Sequence, residues 1–205
     1  MFFIHGIISL CPSIYLLRHC KVQNPDNLLY GRLPGFPLSE QGIEEIKQAS
    51  QFLKNKNITA IYSSPLERTI QTTKIVKETL SLSYIIDERL TEINPGKWAG
   101  RSKQEFFKQS NYCYQPYSGE DYETYQSVAK RFIEFTKKIT QDNILVVSHS
   151  DTILLGILAL ANEPASNLRS LTLPTGGIIQ LDLAPIVHYQ LVYPPVAGND
   201  DSTCK

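Results

Sequence analysis

Two histidines follow strand-like segments that lie far apart in the chain. Arg18 and His19 follow residues 13–17, and His149 follows residues 144–148. In an open parallel sheet, ligands bind outside the carboxyl ends of the strands, so these side chains are candidates for one site. A neutral imidazole is a good nucleophile near neutral pH. A lone histidine at a strand end is more often structural, so the functional interpretation needs support from other residues.

Arg68 adds a fixed positive charge to these candidates. Residues 64–67 (SPLE) combine a capping box with a proline, so we expect a helix that begins at Ser64 and runs through about Leu80. Arg68 lies in the first turn of this helix, where a solvated position is the simplest alternative. A guanidinium stays charged at any working pH and can hold two oxygens at once. Arg68 is therefore a candidate for holding an anion.

The overall composition is typical of a globular protein. The chain has 205 residues, 42% hydrophobic and 20% charged, and its twenty basic residues balance twenty acidic ones. This balance predicts no strong attraction to nucleic acid or to an anionic membrane, so any anion binding must be local. The four cysteines have no C-x-x-C spacing, and the histidines and cysteines form no metal-ligand pattern. We therefore expect a cytoplasmic protein without a metal or another cofactor.

The first residues differ from the rest of the chain. Residues 1–12 are mostly apolar, have no basic segment and are too short to span a bilayer. We expect this stretch to be a flexible N-terminal extension or an artefact of start-site choice. Residues 13–205 contain no repeat or linker, so we expect them to form a single domain.

Strand-like and helix-like segments alternate along residues 13–205. Alternation with helices of ten or more residues indicates crossover connections and a sheet covered on both faces. The prediction is an α/β fold, a three-layer α/β/α sandwich with a mainly parallel central sheet. The predicted strands are residues 13–17, 58–62, 84–86, 144–148, 177–183 and 188–193. The predicted helices are residues 39–53, 64–80, 102–108, 121–140 and 151–161.

Five short motifs occur along the chain in a characteristic order. They are residues 16–20 (LLRHC), 31–39 (GRLPGFPLS), 63–72 (SSPLERTIQT), 90–100 (LTEINPGKWAG) and 146–149 (VVSH). Together they resemble the histidine phosphatase superfamily, which includes the cofactor-dependent phosphoglycerate mutases. Residues 116–120 followed by Arg131 are a weaker match to a further family motif, with Asp121 as the expected helix cap. The resemblance implies a phosphoglycerate mutase-like fold and phosphoryl transfer through a phosphohistidine.

The resemblance assigns specific roles to Arg18, His19 and His149 at the strand ends, and to Arg68. His19 is implied to be the nucleophile that is phosphorylated, which divides a difficult displacement into two easier steps. Arg18, Arg68 and His149 are implied to bind the transferred phosphoryl group. The negative charge of that group spreads over its equatorial oxygens, and fixed positive donors stabilise it.

Two further roles depend on loops. Glu92 matches the family's proton donor, which protonates the leaving oxygen and later activates water, although Glu88 is a nearby alternative. Asn24 follows His19 by five residues, and its amide is expected to donate to phosphate. Ser39 fits either a phosphate donor or a helix cap, and we expect the cap. Cys20 stands where the family usually has glycine, and a side chain at that position could disturb the geometry of the loop.

The resemblance leaves the overall reaction open between related chemistries. We expect hydrolysis of a small phosphorylated substrate, because the chain is short between Gly100 and Asp121, where long insertions tend to close the pocket of mutases. The alternative is a phosphoglycerate mutase-type phosphomutase, and a non-catalytic protein that binds phosphorylated ligands is the third interpretation. The substrate and the oligomeric state stay open, with a homodimer as one option.

Overall fold

The computed structural model describes residues 13–109, 122–183 and 186–193, so the expected N-terminal extension lies outside the described residues. It contains one six-stranded sheet with the order β3-β2-β4-β1-β5-β6. The strands are β1 (Ser13–Arg18), β2 (Ala60–Ser63), β3 (Tyr84–Ile86), β4 (Ile144–Ser148), β5 (Ile178–Asp182) and β6 (His188–Tyr193). The helices are α1 (Glu40–Leu53), α2 (Glu67–Leu80), α3 (Lys103–Gln109), α4 (Tyr125–Thr136) and α5 (Ser150–Leu160).

The direction of the strands brings three carboxyl ends to one edge of the sheet. β4 runs parallel to both β1 and β2, and β2 runs parallel to β3. β5 and β6 are antiparallel additions beyond β1. β4 is buried along its whole length, as expected for a central strand covered on both faces. The predicted mainly parallel sheet is confirmed, and the segments after β1, β2 and β4 lie side by side.

Side chains of the central strands alternate between the two faces of the sheet. Leu16 and Val146 pack on one face with side chains of α4 and α5, and Leu17 and Val147 pack on the other face with side chains of α1 and α2. Each fully buried aliphatic side chain of this kind stabilises the fold by about 1.5–3 kcal/mol. Helices therefore cover both faces, which confirms the three-layer α/β/α sandwich.

The structure confirms one predicted helix cap and corrects another. Ser39 caps α1, because its side chain accepts a hydrogen bond from the Gly42 N–H at 3.1 Å. The capping box predicted at Ser64 is wrong, since α2 begins at Glu67 and Leu66 is its N-cap. The Ser64 hydroxyl lies 2.8 Å from Nε2 of His149 and also accepts from the Leu66 N–H at 3.4 Å.

The predicted start of α4 also changes. Thr124 caps this helix through a bond from the Ser127 N–H at 3.2 Å, so α4 begins at Tyr125 rather than at Asp121. Asp121 and the weaker motif at residues 116–120 lie outside the described residues. No helix in the described part of the chain has the length and apolar character needed to cross a membrane.

Candidate active site

The two histidines are brought together by the pairing of β1 with β4. Arg18 is the register partner of Ser148. The residues that follow them, His19 and His149, therefore lie next to each other at the same edge of the sheet. The His19 N–H continues this pairing by donating to the Ser148 carbonyl at 2.9 Å. The centroids of the His19 and His149 rings are 5.3 Å apart, and the ring planes meet at 62°. The expected convergence of the two strand ends is therefore confirmed.

His19 is held as a buried, neutral imidazole. Its side chain is almost completely buried, and Nδ1 lies 2.8 Å from the carbonyl oxygen of Cys20. A carbonyl oxygen only accepts, so Nδ1 carries the proton and Nε2 keeps its lone pair. Burial lowers the pKa of His19 well below its ordinary value, and the charges of Arg68 and Arg18 lower it further. The imidazole is thus unprotonated at Nε2 near neutral pH.

Both arginines are anchored by one end and present an unused donor. Arg68 donates from Nη2 to the Gly31 carbonyl at 2.8 Å, and Arg18 donates from Nη1 to the Leu173 carbonyl at 2.6 Å. The Nε atoms of Arg18 and Arg68 are buried, and the described residues offer neither of them an acceptor. A buried donor without a partner costs roughly 1–3 kcal/mol. A ligand that accepts hydrogen bonds from these atoms would remove this cost.

Tyr30 is a site residue that the sequence analysis missed. The guanidinium of Arg68 lies over its ring, 4.7 Å from the centroid, and Phe36 supports the ring at 4.8 Å. Burial raises the pKa of Tyr30, against the opposing charges of Arg68 and Arg18. Its position directly before Gly31, as an aromatic residue in a polar loop, was the available signal. Tyr30 holds Arg68 by a cation–π contact.

His149 is fixed through both ring nitrogens. It is fully buried, and its Nδ1 lies 3.1 Å from Nη2 of Arg68. Because a guanidinium only donates, Nδ1 is the acceptor and the proton resides on Nε2. Nε2 then donates to the Ser64 hydroxyl at 2.8 Å. Burial lowers the pKa of His149 well below its ordinary value, with Arg68 as the next cause.

Glu92 lies beside His149, with its Oε2 atom 3.8 Å from Nδ1. Its other oxygen accepts from the Ile93 N–H at 2.8 Å. Burial raises the pKa of Glu92 to about 7, and the negative charge of Asp151 adds to the shift, while Arg68 opposes it. The alternative acid, Glu88, is exposed. The carboxyl next to His149 is therefore Glu92, and it can give or take a proton near neutral pH.

A charged cluster holds the loop that carries Glu92. Arg32 donates from Nε to the Glu92 carbonyl and from Nη2 to Oε2 of Glu123, both at 2.6 Å. Glu123 also accepts from Nε of Arg131 at 2.8 Å. The motif matched together with Arg131 in the sequence was residues 116–120, and Glu123 was not predicted. The spacing of Glu123 eight residues before Arg131 was the available signal.

Asn24 bonds within its own loop. Its Nδ2 donates to the Leu28 carbonyl and its Oδ1 accepts from the Leu28 N–H, both at 2.9 Å. These two bonds stabilise the turn after His19. The structure does not bring the Asn24 amide into contact with the other five candidates, so its contact with phosphate stays a prediction.

Cys20 is accommodated where glycine was expected. Its side chain is fully buried in the apolar cluster between the sheet and α1, and its backbone is outside the left-handed region. The Cys20 N–H donates to Oγ1 of Thr72 at 3.4 Å. This backbone therefore does not require glycine.

Within residues 13–109, 122–183 and 186–193, no group of three His, Cys, Asp or Glu side chains could hold a metal ion.

Comparisons with known proteins identify related sequences and a structure with the same fold. Phosphoserine phosphatase 1 of Hydrogenobacter thermophilus is 30% identical over 150 residues, which cover 67% of this chain and 71% of that protein. The 2,3-bisphosphoglycerate-dependent phosphoglycerate mutase of Thermoplasma acidophilum is 30% identical over 175 residues, 82% of this chain and 86% of that protein. The structure of the alpha-ribazole phosphatase from Shigella flexneri superposes with a TM-score of 0.77 at 24% identity, covering 92% of this chain and all of that chain.

The family assignment covers most of the chain. The family model of the histidine phosphatase superfamily (branch 1) matches residues 14–186, which include all six predicted site residues. Phosphatases and a phosphomutase occur among the relatives, so both reactions fit the family. The shared fold, the ordered motifs and this match together establish that the chain belongs to branch 1 of the histidine phosphatase superfamily.

Proposed function

We propose that this protein is a phosphatase that hydrolyses a small phosphomonoester through a phosphohistidine on His19. The observation that supports this most is the arrangement around His19, a buried neutral imidazole beside two arginines. Each of these arginines, Arg18 and Arg68, has a buried Nε donor with no acceptor among the described residues. A nucleophile next to unused cationic donors suits an incoming phosphoryl group.

In the first step, Nε2 of His19 attacks phosphorus as the bond to the leaving oxygen breaks. Arg18, Arg68 and His149 stabilise the charge on the equatorial oxygens. Glu92 in its protonated form gives its proton to the leaving oxygen, which departs as an alcohol. The products are the phosphohistidine, the released alcohol and an ionised Glu92.

In the second step, water replaces the alcohol. The ionised Glu92 takes a proton from this water as its oxygen attacks phosphorus, and the bond between phosphorus and Nε2 of His19 breaks. Inorganic phosphate leaves, and Glu92 is protonated again. A pKa of about 7 lets the same carboxyl serve as acid in one step and base in the other.

The length of the chain near the loop that carries Glu92 favours hydrolysis over the phosphomutase reaction. Only twenty residues separate Gly100 from Asp121, which leaves little chain to enclose a phospho-enzyme with its acceptor. The retained nucleophile and acid argue against a protein that only binds phosphorylated ligands. The relatives named for phosphoserine and alpha-ribazole suggest a small organic phosphate as the substrate. The cysteine spacing supports a cytoplasmic location.

The test measures phosphate release without added metal from phosphoserine, alpha-ribazole phosphate, sugar phosphates, phosphoglycerates, nucleotides and p-nitrophenyl phosphate. The wild type and the His19→Ala variant are compared, with His188→Ala as a control at an exposed histidine on β6. We expect wild-type release that falls by at least about 10³-fold in His19→Ala and is unchanged in His188→Ala. An acid-labile phosphoryl group should appear on the wild type after quenching and should be missing from His19→Ala.

Three outcomes would contradict the proposal. Interconversion of phosphoglycerates without net phosphate release would support the mutase. Binding of phosphorylated ligands without any turnover would support the binding protein. Hydrolysis that survives in His19→Ala would place the nucleophile elsewhere.

A further inference from the structure

Ser64 occupies an unusual position for a residue before a helix. Its side chain is fully buried, and its hydroxyl lies 2.8 Å from Nε2 of His149 and accepts a longer bond from the Leu66 N–H at 3.4 Å. Its backbone N–H donates to the Val147 carbonyl at 3.0 Å. Its carbonyl accepts from the hydroxyls of Ser63 and Thr69, each at 2.9 Å. These bonds hold the Ser64 backbone in place.

The contact between Ser64 and His149 decides how the imidazole is oriented. Nδ1 of His149 accepts from Arg68 at 3.1 Å and lies 3.8 Å from Glu92, so this nitrogen faces the site. Nε2 points away from the site to the Ser64 hydroxyl. Without a partner for Nε2, the ring could turn over and present either nitrogen to the site.

We propose that Ser64 is a positioning residue that holds Nε2 of His149, so that Nδ1 faces the transferred phosphoryl group. This inference rests on the proposed function, in which His149 binds that group.

The hydroxyl suits this task because it can accept a hydrogen bond from Nε2–H. To donate to a phosphoryl oxygen, Nδ1 must carry a proton. A phosphomonoester has a second pKa of about 6 and can bring this proton as its monoanion. Nη2 of Arg68 then turns from Nδ1 to a phosphoryl oxygen, and the phosphoryl O–H bond breaks as the Nδ1–H bond of His149 forms. The proton on Nε2 stays hydrogen-bonded to the Ser64 hydroxyl. The resulting imidazolium is stabilised on one side by phosphate and on the other by Ser64.

The first experiment is nitrogen NMR of isotope-labelled histidine in the ligand-free protein, with His149→Asn used to assign the signal. We expect His149 to carry its proton on Nε2 in the wild type and in Ser64→Thr, which keeps a hydroxyl. In Ser64→Ala we expect a mixture of tautomers. Ser63→Ala is the matched control, because Ser63 is equally buried but bonds to the Ser64 carbonyl and to Thr73 rather than to His149.

The second experiment is the pH profile of kcat for the best substrate. We expect kcat to fall about tenfold in Ser64→Ala, from the loss of one buried hydrogen bond to a charged ring. With p-nitrophenyl phosphate, whose leaving oxygen needs no proton from Glu92, the alkaline limb should move to lower pH, because the imidazolium of His149 loses the acceptor of its Nε2 proton. Ser63→Ala should keep the position of this limb, and thermal unfolding would confirm that both variants fold.

The proposal is overturned if Ser64→Ala keeps the wild-type tautomer and pH profile, or if Ser63→Ala changes both to the same extent. If the wild type hydrolyses no phosphomonoester, the proposed function fails. The NMR comparison still tests the contact between Ser64 and His149 in that case, so the two failures are distinguishable.

Discussion

At the scale of single residues, the site depends on how burial changes proton affinity. His19 and His149 are both kept neutral, since burial and the nearby guanidiniums oppose a further positive charge. The carboxyl of Glu92 is shifted in the opposite sense, because burial and Asp151 oppose its negative charge. A neutral nucleophile and a protonated acid can therefore coexist near neutral pH.

The role of Glu92 predicts a dependence on the leaving group. Replacing Glu92 with Gln removes the proton donor, so formation of the phosphohistidine should slow by about 10²–10⁴ for alkyl phosphates. The effect should be much smaller for p-nitrophenyl phosphate, whose leaving oxygen needs no proton. Rapid-quench measurements of the first turnover check this difference. Equal losses for both substrates would remove Glu92 from the acid role.

The pKa of Glu92 also predicts a change in stability with pH. The folded protein holds a proton on Glu92 up to about pH 7, whereas the ordinary value for the side chain is 4.5. Between these values the folded state binds more protons than the unfolded state, so stability falls as pH rises. Glu92→Gln should therefore unfold at a higher temperature than wild type above about pH 7 and show no such gain near pH 4. Calorimetry at both pH values tests this sign.

The contact of Tyr30 with Arg68 predicts that the ring matters more than the hydroxyl. Tyr30→Leu should lower kcat/KM by a factor of about 2–30, because a cation–π contact contributes roughly 0.5–2 kcal/mol. Tyr30→Phe keeps the ring and should stay close to wild type. Steady-state kinetics on one substrate suffice. A Tyr30→Phe variant as impaired as Tyr30→Leu would transfer the role to the hydroxyl.

At the scale of elements, α1 is anchored to the loop after the nucleophile. The Lys21 carbonyl accepts from the N–H of Ser39 at 2.9 Å and from its hydroxyl at 3.2 Å. The Lys21 N–H donates to Oε2 of Glu45 at 3.0 Å. This close approach requires glycine at position 42, where an added Cβ would lie 2.1 Å from the Lys21 carbonyl oxygen. The position of the loop after His19 thus depends on α1.

Gly42→Ala tests this anchoring. The added methyl group must push α1 away from residue 21, so we expect a loss of stability of about 1–3 kcal/mol and a lower kcat. Lys47→Ala changes an exposed position of the same helix, with 61% of its side chain accessible, and should alter neither property. Thermal unfolding and phosphate release measure both effects. Full activity in Gly42→Ala would show that the loop is held without α1.

At the scale of the whole molecule, the sheet assembles the site at some cost in stability. The order of the strands places β1, β2 and β4 side by side, and their carboxyl ends carry the histidines and the connection to Arg68. The fold therefore gathers two buried arginine donors without acceptors among the described residues. A bound anion should relieve this strain, so ligand binding and stability are linked.

Inorganic phosphate should raise the Tm of the wild type. At a concentration of 100 times its Kd, the stabilisation is about 2.7 kcal/mol. Arg68→Met should remove most of this shift, because the variant lacks one of the donors. Scanning fluorimetry with sodium chloride at equal ionic strength separates specific binding from screening. An equal shift in Arg68→Met would mean that phosphate stabilises the protein at another site.

Much of the architecture was predictable because its signals are local. Apolar runs such as residues 144–148 identify buried strands, and their alternation with helical patterns indicates a mainly parallel sheet. Such a sheet brings strand ends together, which is why His19 and His149 could be paired from the sequence. The start of α2 was predicted wrongly, because Ser64 has the residue type of a cap and its competing contact is distant in the chain.

The fold class, the family and the candidates His19, Arg68, Glu92 and His149 could be predicted from the sequence, because strand periodicity and ordered motifs can be read along the chain. The tertiary structure alone decided the proton positions on the histidines, the raised pKa of Glu92 and the contact of Tyr30 with Arg68. These properties depend on burial and on neighbours separated by tens of residues. A linear pattern of residue types carries neither kind of information.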